Sequence, residues 1–536
     1  MIRRRPHLRG GLQSDGGDLV ASYADIIQVD DRHHRTKLAI GSVATILLLV
    51  VALVLLIGSQ GPSRTVTYQI GDWPAPYGIV LVVDRLSALM VALTSSIAAC
   101  ALVFSAARWH RAGQHFHSLF QLLLMGINGA FLTGDLFNLF VFFEILLAAS
   151  YGLALHGSGK SRVKASLHYV AMNLATSSLF LIGATAIYGV VGTLNMADLA
   201  VRIPMLTPSE HGLLQTGAAI LGIAFLVKAG MWPLGLWLPN TYAAAAPPVA
   251  AMFAVLSKVG VYVIIRLTSL LFGDGAGPSA HFGDVWLQYG GLATIVFGAI
   301  GVLASQGVGR IACFSVLVSS GTLLAVIGYE DAGVTAGALY YLVGSTLALS
   351  CLFLLVELME RGRSPGDDVL AVTLEAYGDD EEPVHEQEVG AATPGTLTAL
   401  GLAFACCAVL VAGIPPLSGF LGKFAMLDAV FGLGAGTGIS PSIWMLALVL
   451  ILSGLAATIA LMRSGINTFW VSFEGAVPAI RTVEIVPILT LLALAVVISL
   501  YAEPVMAFMQ QAATSLYDPS EYVGTVLTES SGETAR

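Results

Sequence analysis

Charge is what this sequence has least of: 25 Lys+Arg and 34 Asp+Glu in 536 residues, or 11 %, where a soluble domain carries roughly 25 %. So few charges cannot cover the surface of a water-soluble protein of this length, which excludes a string of soluble domains. Basic residues are the scarcer sign. A net charge of −9 and a pI near 5.6 exclude the basic stripe that nucleic-acid phosphates require. Cysteine is also rare. Cys100, Cys313, Cys351, Cys406 and Cys407 lie inside apolar runs without C-x-x-C spacing, and read as small buried hydrophobes, not redox or metal thiolates. No Ser/His/Asp set, heme-spaced histidine pair or His/Cys/carboxylate metal spacing is present, so no metal and no cofactor is expected. The H-G-S-G-K-S run at 156–161 mimics a phosphate loop, but Ala154 stands where its first glycine belongs and an apolar run precedes it instead of a strand.

What the sequence has is apolar length. Hydrophobic residues make up 56 % and the mean hydropathy is +0.82. With roughly 20 apolar residues needed per helical crossing, spans are predicted near 38–58, 78–104, 116–134, 135–155, 166–192, 211–236, 244–271, 284–305, 310–328, 333–358, 395–434 (long and broken), 443–462 and 483–503. The fold class is therefore an all-α polytopic membrane bundle of about thirteen spans. Five segments follow: a polar tail over 1–37, membrane sequence over 38–358, an acidic loop over 359–394, membrane sequence over 395–505 and a polar tail over 506–536. With the N-terminus inside, alternate loops hold seventeen Lys and Arg, and the opposite loops and C-terminal tail only Arg64, Arg202 and Arg536. That bias places the N-terminus and the acidic loop in the cytoplasm.

A charge at mid-bilayer costs about 2.5–3.5 kcal/mol on insertion scales. Glu144, Lys228, Lys258 and Lys423 each stand in the middle of a span, and a cost repeated in four helices points to an ion path. Burial disfavours the charged form and an opposite charge nearby restores it, so a lysine whose acidic partner moves can take up and release a proton. Glu144 and Lys228 are the natural pair, Lys258 would pass the proton on, and Lys423 would receive it. Arg266 is expected to snorkel from a span end, Asp84 and Arg85 to form a surface-proximal pair, and His168 to serve a structural or proton-entry role.

Two spans are interrupted in the same manner. V-K-A-G-M-W-P carries Lys228 just before Gly230 and Pro233, and A-G-I-P-P-L-S-G-F-L-G-K-F carries Lys423 just after Pro415 and Pro416. Proline removes a backbone donor and glycine loosens the helix, so unpaired backbone groups are left at mid-depth. Such breaks in corresponding halves point to a transporter with its path at the breaks.

The runs G-D-W-P-A-P-Y-G-I-V-L-V-V-D-R-L-S-A-L-M, D-L-F-N-L-F-V-F-F-E-I-L, L-V-K-A-G-M-W-P-L-G-L-W-L-P and G-I-P-P-L-S-G-F-L-G-K-F resemble the D subunits of Mrp-type (Pha-type) multisubunit cation/proton antiporters. That family is similar to the proton-pumping membrane subunits of respiratory complex I. The resemblance spans about 38–505. It implies a fourteen-helix fold with two inverted five-helix repeats, each with a broken helix, and a relay at Glu144, Lys228, Lys258 and Lys423. It further implies exchange of protons for cytoplasmic Na⁺ or K⁺ in a bacterial inner membrane, only within a hetero-oligomer of antiporter subunits. This sequence departs from the family twice. The polar 1–37 stands where the family has a first membrane helix, and Gly344 stands where relatives carry a histidine. The step from Lys258 to Lys423 would then need water, Tyr340, Tyr341, Ser345 or Thr346. The alternative reading is a membrane proton-pumping component of a complex I-like or hydrogenase-type oxidoreductase, distinguished by its partner subunits.

Overall fold

The computed structural model describes residues 15–61, 65–112, 115–157, 159–361, 394–434, 438–469 and 480–532. Helix α1 (Asp15–Gly58) leads to a β-hairpin, β1 (Val66–Gln69) and β2 (Val80–Val83), paired antiparallel with Val66 opposite Val83 and Tyr68 opposite Leu81. There follow α2 (Arg85–Ser105), α3 (Phe116–Leu132), α4 (Leu136–Ala154), α5 (Lys160–Val191) and the short α6 (Met196–Arg202). A first broken helix comprises α7 (Pro208–Ala229) and α8 (Leu238–Ala244). Next come α9 (Pro247–Leu271), α10 (Asp284–Ala304), α11 (Val308–Ile327) and α12 (Ala332–Glu360). The second broken helix comprises α13 (Pro394–Ala412) and α14 (Ser418–Leu433), followed by α15 (Pro441–Phe469), α16 (Thr482–Leu500), α17 (Ala502–Tyr517) and α18 (Ser520–Gly532). Among the described residues eleven helices are long and apolar enough to cross a membrane; α3 and Leu397–Ala412 within α13 are shorter apolar helices.

The bundle is built around two helices. The most apolar windows of α9 and α12 are wholly buried, whereas that of α1 is 17 % buried, so α1 lies at the rim. Where an inner helix must touch a neighbour, glycine permits it. A Cβ at Gly260 would lie 2.7 Å from the amide nitrogen of Ala229 and 3.0 Å from Cβ of Lys228, so α9 packs directly on the end of α7.

The structure refines several sequence expectations. The span predicted from 78 begins at Arg85, because Asp84 caps α2 in a capping box with Ser87 and V-L-V-V before it pairs as β2. Residues 15–37, expected as part of a tail, continue α1 as helix. Residues 506–536, also expected as a polar tail, contribute most of α17 and α18; Met509, Ala512, Ala513 and Leu516 are buried on one face of α17, and Tyr522 and Val526 of α18 are buried as well. The acidic loop lies outside the described residues from 362 to 393, as do residues 1–14.

The hairpin defines one face of the bundle. Bridges join Leu81 to Thr133 and Asp135 to Asn195 there, and the carboxylate of Asp84 meets the Arg266 guanidinium at 2.5 and 2.8 Å. Arg266 is 6 % exposed and does not snorkel; its partner is Asp84, so the expected Asp84–Arg85 pair is replaced by Asp84–Arg266. On the opposite face arginines cap helix C-termini, where carbonyls lack partners: Arg162 donates to the Ala244 carbonyl, Arg463 to that of Ser305 and Arg481 to that of Ala107. Arg361 there bridges Glu357 and Glu484.

Candidate functional site

Lys228 is in the last turn of α7, which Gly230 ends in a left-handed conformation at φ 81°. The final carbonyls of a helix are the negative end of its dipole, which favours an ammonium in that turn. The second break repeats the arrangement from the other side. Gly413 (φ 74°) ends α13, and Lys423, from α14, reaches back to donate to the Ala412 carbonyl at 3.2 Å. A Cβ on Gly413 would stand 2.9 Å from the Lys423 ammonium, so this glycine supplies both the turn and the room. Pro233, Pro415 and Pro416 lie in the two breaks, outside the helices.

Lys228, Lys258 and Lys423 are 4, 0 and 8 % exposed; Glu144, on α4, is partly exposed. Among the described residues no direct ion pair joins Glu144 to Lys228. Both reach α5 instead: Ser177 Oγ donates to Glu144 Oε1, and Lys228 Nζ donates to Asn173 Oδ1. Asn173 and Ser177 are four residues apart, hence neighbours on one helix face. The sequence reading singles out neither, although A-M-N-L-A-T-S-S displays the spacing.

Lys258, on α9, donates to Ser319 Oγ at 2.8 Å and Ser320 Oγ at 3.2 Å on α11. Ser319 Oγ lies 3.0 Å from Ser345 Oγ on α12. Beyond it a cavity of about 20 Å³ is lined by Ser315, Ser319, Tyr341, Ser345, Lys423 and Ser453, among others. A polar cavity needs at least about 10–15 Å³ to hold one water, so this one suffices between the serines and Lys423.

Of the auxiliary candidates, Ser345 and Tyr341 line this cavity and the others do not. Thr346 returns its hydroxyl to the Leu342 carbonyl at 2.6 Å. Tyr340 donates to the Ile498 carbonyl at 3.0 Å, toward α16, and His168 is exposed on α5. At Gly344 a Cβ would come within 2.8 Å of Ser418 Oγ. The space beside that glycine is filled by the first residue of α14.

Two buried lysines at helix breaks, a third bonded to serines and a partly exposed glutamate, all within an apolar helical bundle, are the features of one class of protein, an ion-translocating membrane subunit. The chain belongs to the family described as NADH:quinone oxidoreductase/Mrp antiporter, TM, whose pattern matches residues 133–451. It is 57 % identical over 515 residues to the D subunit of a probable K(+)/H(+) antiporter from Rhizobium meliloti, covering 95 % of this chain and 96 % of the relative. It is 34 % identical over 513 residues to the D subunit of a Na(+)/H(+) antiporter from Alkalihalophilus pseudofirmus, covering 93 and 95 %. Among solved structures, a chain of the Mrp complex from Dietzia sp. DQ12-45-1b superposes with a TM-score of 0.78 at 23 % identity, covering 94 % of this chain and 97 % of that one. A chain of respiratory complex I from Thermus thermophilus gives 0.69 at 20 %, covering 91 and 95 %.

Proposed function

We propose that this chain is the D subunit of a multisubunit monovalent cation/proton antiporter, a transporter component and not an enzyme, and that it carries protons along Glu144, Lys228, Lys258 and Lys423. The observation that carries the reading is the contact sequence: Glu144–Ser177, Asn173–Lys228, Lys258–Ser319–Ser345, then the water-sized cavity at Lys423. Serine hydroxyls both donate and accept, and a water can bridge; among the described residues no hydrogen bond joins Lys228 to Lys258, whose helices meet where α9 packs on the end of α7. Serine hydroxyls and a water act where the relatives' histidine would. The charge asymmetry of the loops supports a bacterial inner-membrane orientation with the hairpin face outside and the N-terminus in the cytoplasm. The matching breaks support two inverted repeats. The 57 % identical relative named for K⁺, against 34 % for the one named for Na⁺, supports K⁺ as the coupled cation. The same two names favour antiport over the oxidoreductase reading, which the family pattern alone does not separate.

Everted membrane vesicles containing the whole operon, from cells lacking their own antiporters, test the reading. Adding K⁺ should collapse a preformed pH gradient in wild type and not in Glu144→Gln or Lys228→Ala. An assembled wild-type complex that exchanges neither K⁺ nor Na⁺ would overturn it, and exchange of Na⁺ alone would reassign the cation.

A further inference from the structure

The hairpin face gathers a second set of ionisable groups far from the lysine path. His281, in the connection between α9 and α10, has Nδ1 2.6 Å from Glu330 Oε2 and 3.4 Å from Asp284 Oδ2, while its Nε2 is 3.2 Å from Asp274 Oδ1. Asp284 begins α10 and Glu330 sits in the turn between α11 and α12, so residues distant in sequence converge. One atom each from His281, Asp284 and Glu330 lies within 4.8 Å of the other two.

Three features distinguish this set from an exposed ion pair. The Glu330 side chain is only 7 % exposed, and its Oε1 is buried with no hydrogen-bond partner; Asp284 Oδ1 is buried and unpartnered too. Leaving such oxygens unpaired is costly. The charges do not balance either: Asp274, Asp284 and Glu330 face one imidazole, which contributes at most a single positive charge. Finally, the two imidazole nitrogens have different neighbours. Nδ1 faces the two buried carboxylates, and Nε2 faces Asp274, whose side chain is 97 % exposed. A carboxylate on the second nitrogen is the usual outer partner of a metal-bound histidine, since it fixes the tautomer that leaves the first nitrogen's lone pair free.

We propose that His281 Nδ1, Asp284 and Glu330 form a binding site for a divalent cation of the zinc class on the hairpin face, with Asp274 orienting the imidazole and water completing the coordination. One imidazole and two carboxylates are a mixed N/O donor set suited to Zn²⁺. Tetrahedral zinc with bonds of about 2.0–2.2 Å separates its ligand atoms by about 3.3–3.5 Å; His281 Nδ1 and Asp284 Oδ2 already stand 3.4 Å apart, and Glu330 Oε2, 2.6 Å from Nδ1, would have to withdraw by less than about 1 Å to admit the ion. The ion would supply the missing positive charge and tie the α9–α10 connection to the α11–α12 turn.

The test uses the intact complex purified from membranes, with Zn²⁺ as the probe and bound metal measured after equilibrium dialysis. Wild type should hold one more Zn²⁺ per copy of this chain than Glu330→Gln or His281→Ala, each verified to co-purify with its partner subunits. Asp274→Asn should weaken that site by about 10–100-fold. X-ray absorption at the zinc edge of the wild-type complex gives a second readout independent of the variants' folding, with one imidazole and carboxylate oxygens expected. Equal zinc content in wild type and the assembled variants, no saturable site in wild type, or a zinc edge without imidazole would each overturn the proposal.

Discussion

At the scale of single residues, a buried lysine here is held by neighbours that look ordinary in the sequence. Lys258 is served by Ser319 and Ser320, and Ser319 by Ser345. A lost hydrogen bond to a charged group costs about 1.5–3 kcal/mol, so Ser319→Ala should slow cation/proton exchange roughly tenfold or more in the vesicle assay. Thr346→Ala should leave the rate unchanged, because that hydroxyl is already bonded to its own helix. Equal effects of the two substitutions would remove the serines from the proposed path. The contrast also explains what the sequence could disclose. The cost of Glu144, Lys228, Lys258 and Lys423 is local to their spans and is therefore legible without a partner. Serines and threonines inside helices commonly bond the carbonyl four residues back, as Ser315 does to Ile311, and nothing in the sequence separates these from Ser319. The burial of Arg266 is illegible for a related reason: Asp84 is 182 residues away.

At the scale of elements, the two broken helices perform the same electrostatic task by different routes. In one, the lysine belongs to the half-helix whose end it faces; in the other it reaches back from the following half. Gly413 is the tightest point of the second break. A non-glycine residue in the left-handed region costs roughly 1–2 kcal/mol, and the added methyl would press on Lys423 Nζ. Gly413→Ala should therefore assemble with reduced exchange, while Gly432→Ala in α14, where a Cβ meets nothing within 4 Å, should behave as wild type. Gly344→His should fail to assemble, since Ser418 occupies the space beside that position; a fully active histidine variant would contradict this packing. The breaks are legible because glycine and proline act on the backbone locally. Helix α17 is legible in principle: Met509, Ala512, Ala513 and Leu516 follow the i, i+3, i+4, i+7 pattern of a buried stripe, but their polar surroundings suggest a tail. The His281 cluster is not legible, because Glu330 is 49 residues from His281 and no local spacing joins them.

At the scale of the whole molecule, the hairpin, α9 and the C-terminal helices are fastened at one buried point. The Asp84 carboxylate caps α2 and pairs with Arg266 of α9, whose guanidinium lies 5.4 Å from the Tyr522 ring of α18 and 5.5 Å from that of Tyr262. Removing one member of a buried pair leaves the other charge uncompensated, a loss of about 3–5 kcal/mol. Asp84→Asn should thus markedly lower the unfolding temperature of the purified complex, and Asp84→Leu combined with Arg266→Met should recover part of the loss. The pH dependence has a definite sign. Burial alone would raise the Asp84 carboxyl, but Arg266 and the Ser87 amide outweigh it and hold the group below its ordinary value. A depressed carboxylate contributes its full stabilisation above its unfolded value of about 3.9 and loses it only as the pH falls through the lower folded value. The gap in unfolding temperature between wild type and Asp84→Asn should therefore be the same at pH 7 and pH 5. A gap that closes by pH 5 would mean that Asp84 is not held ionised by Arg266, and the hairpin face would then owe its cohesion to the packing of α17 and α18 instead.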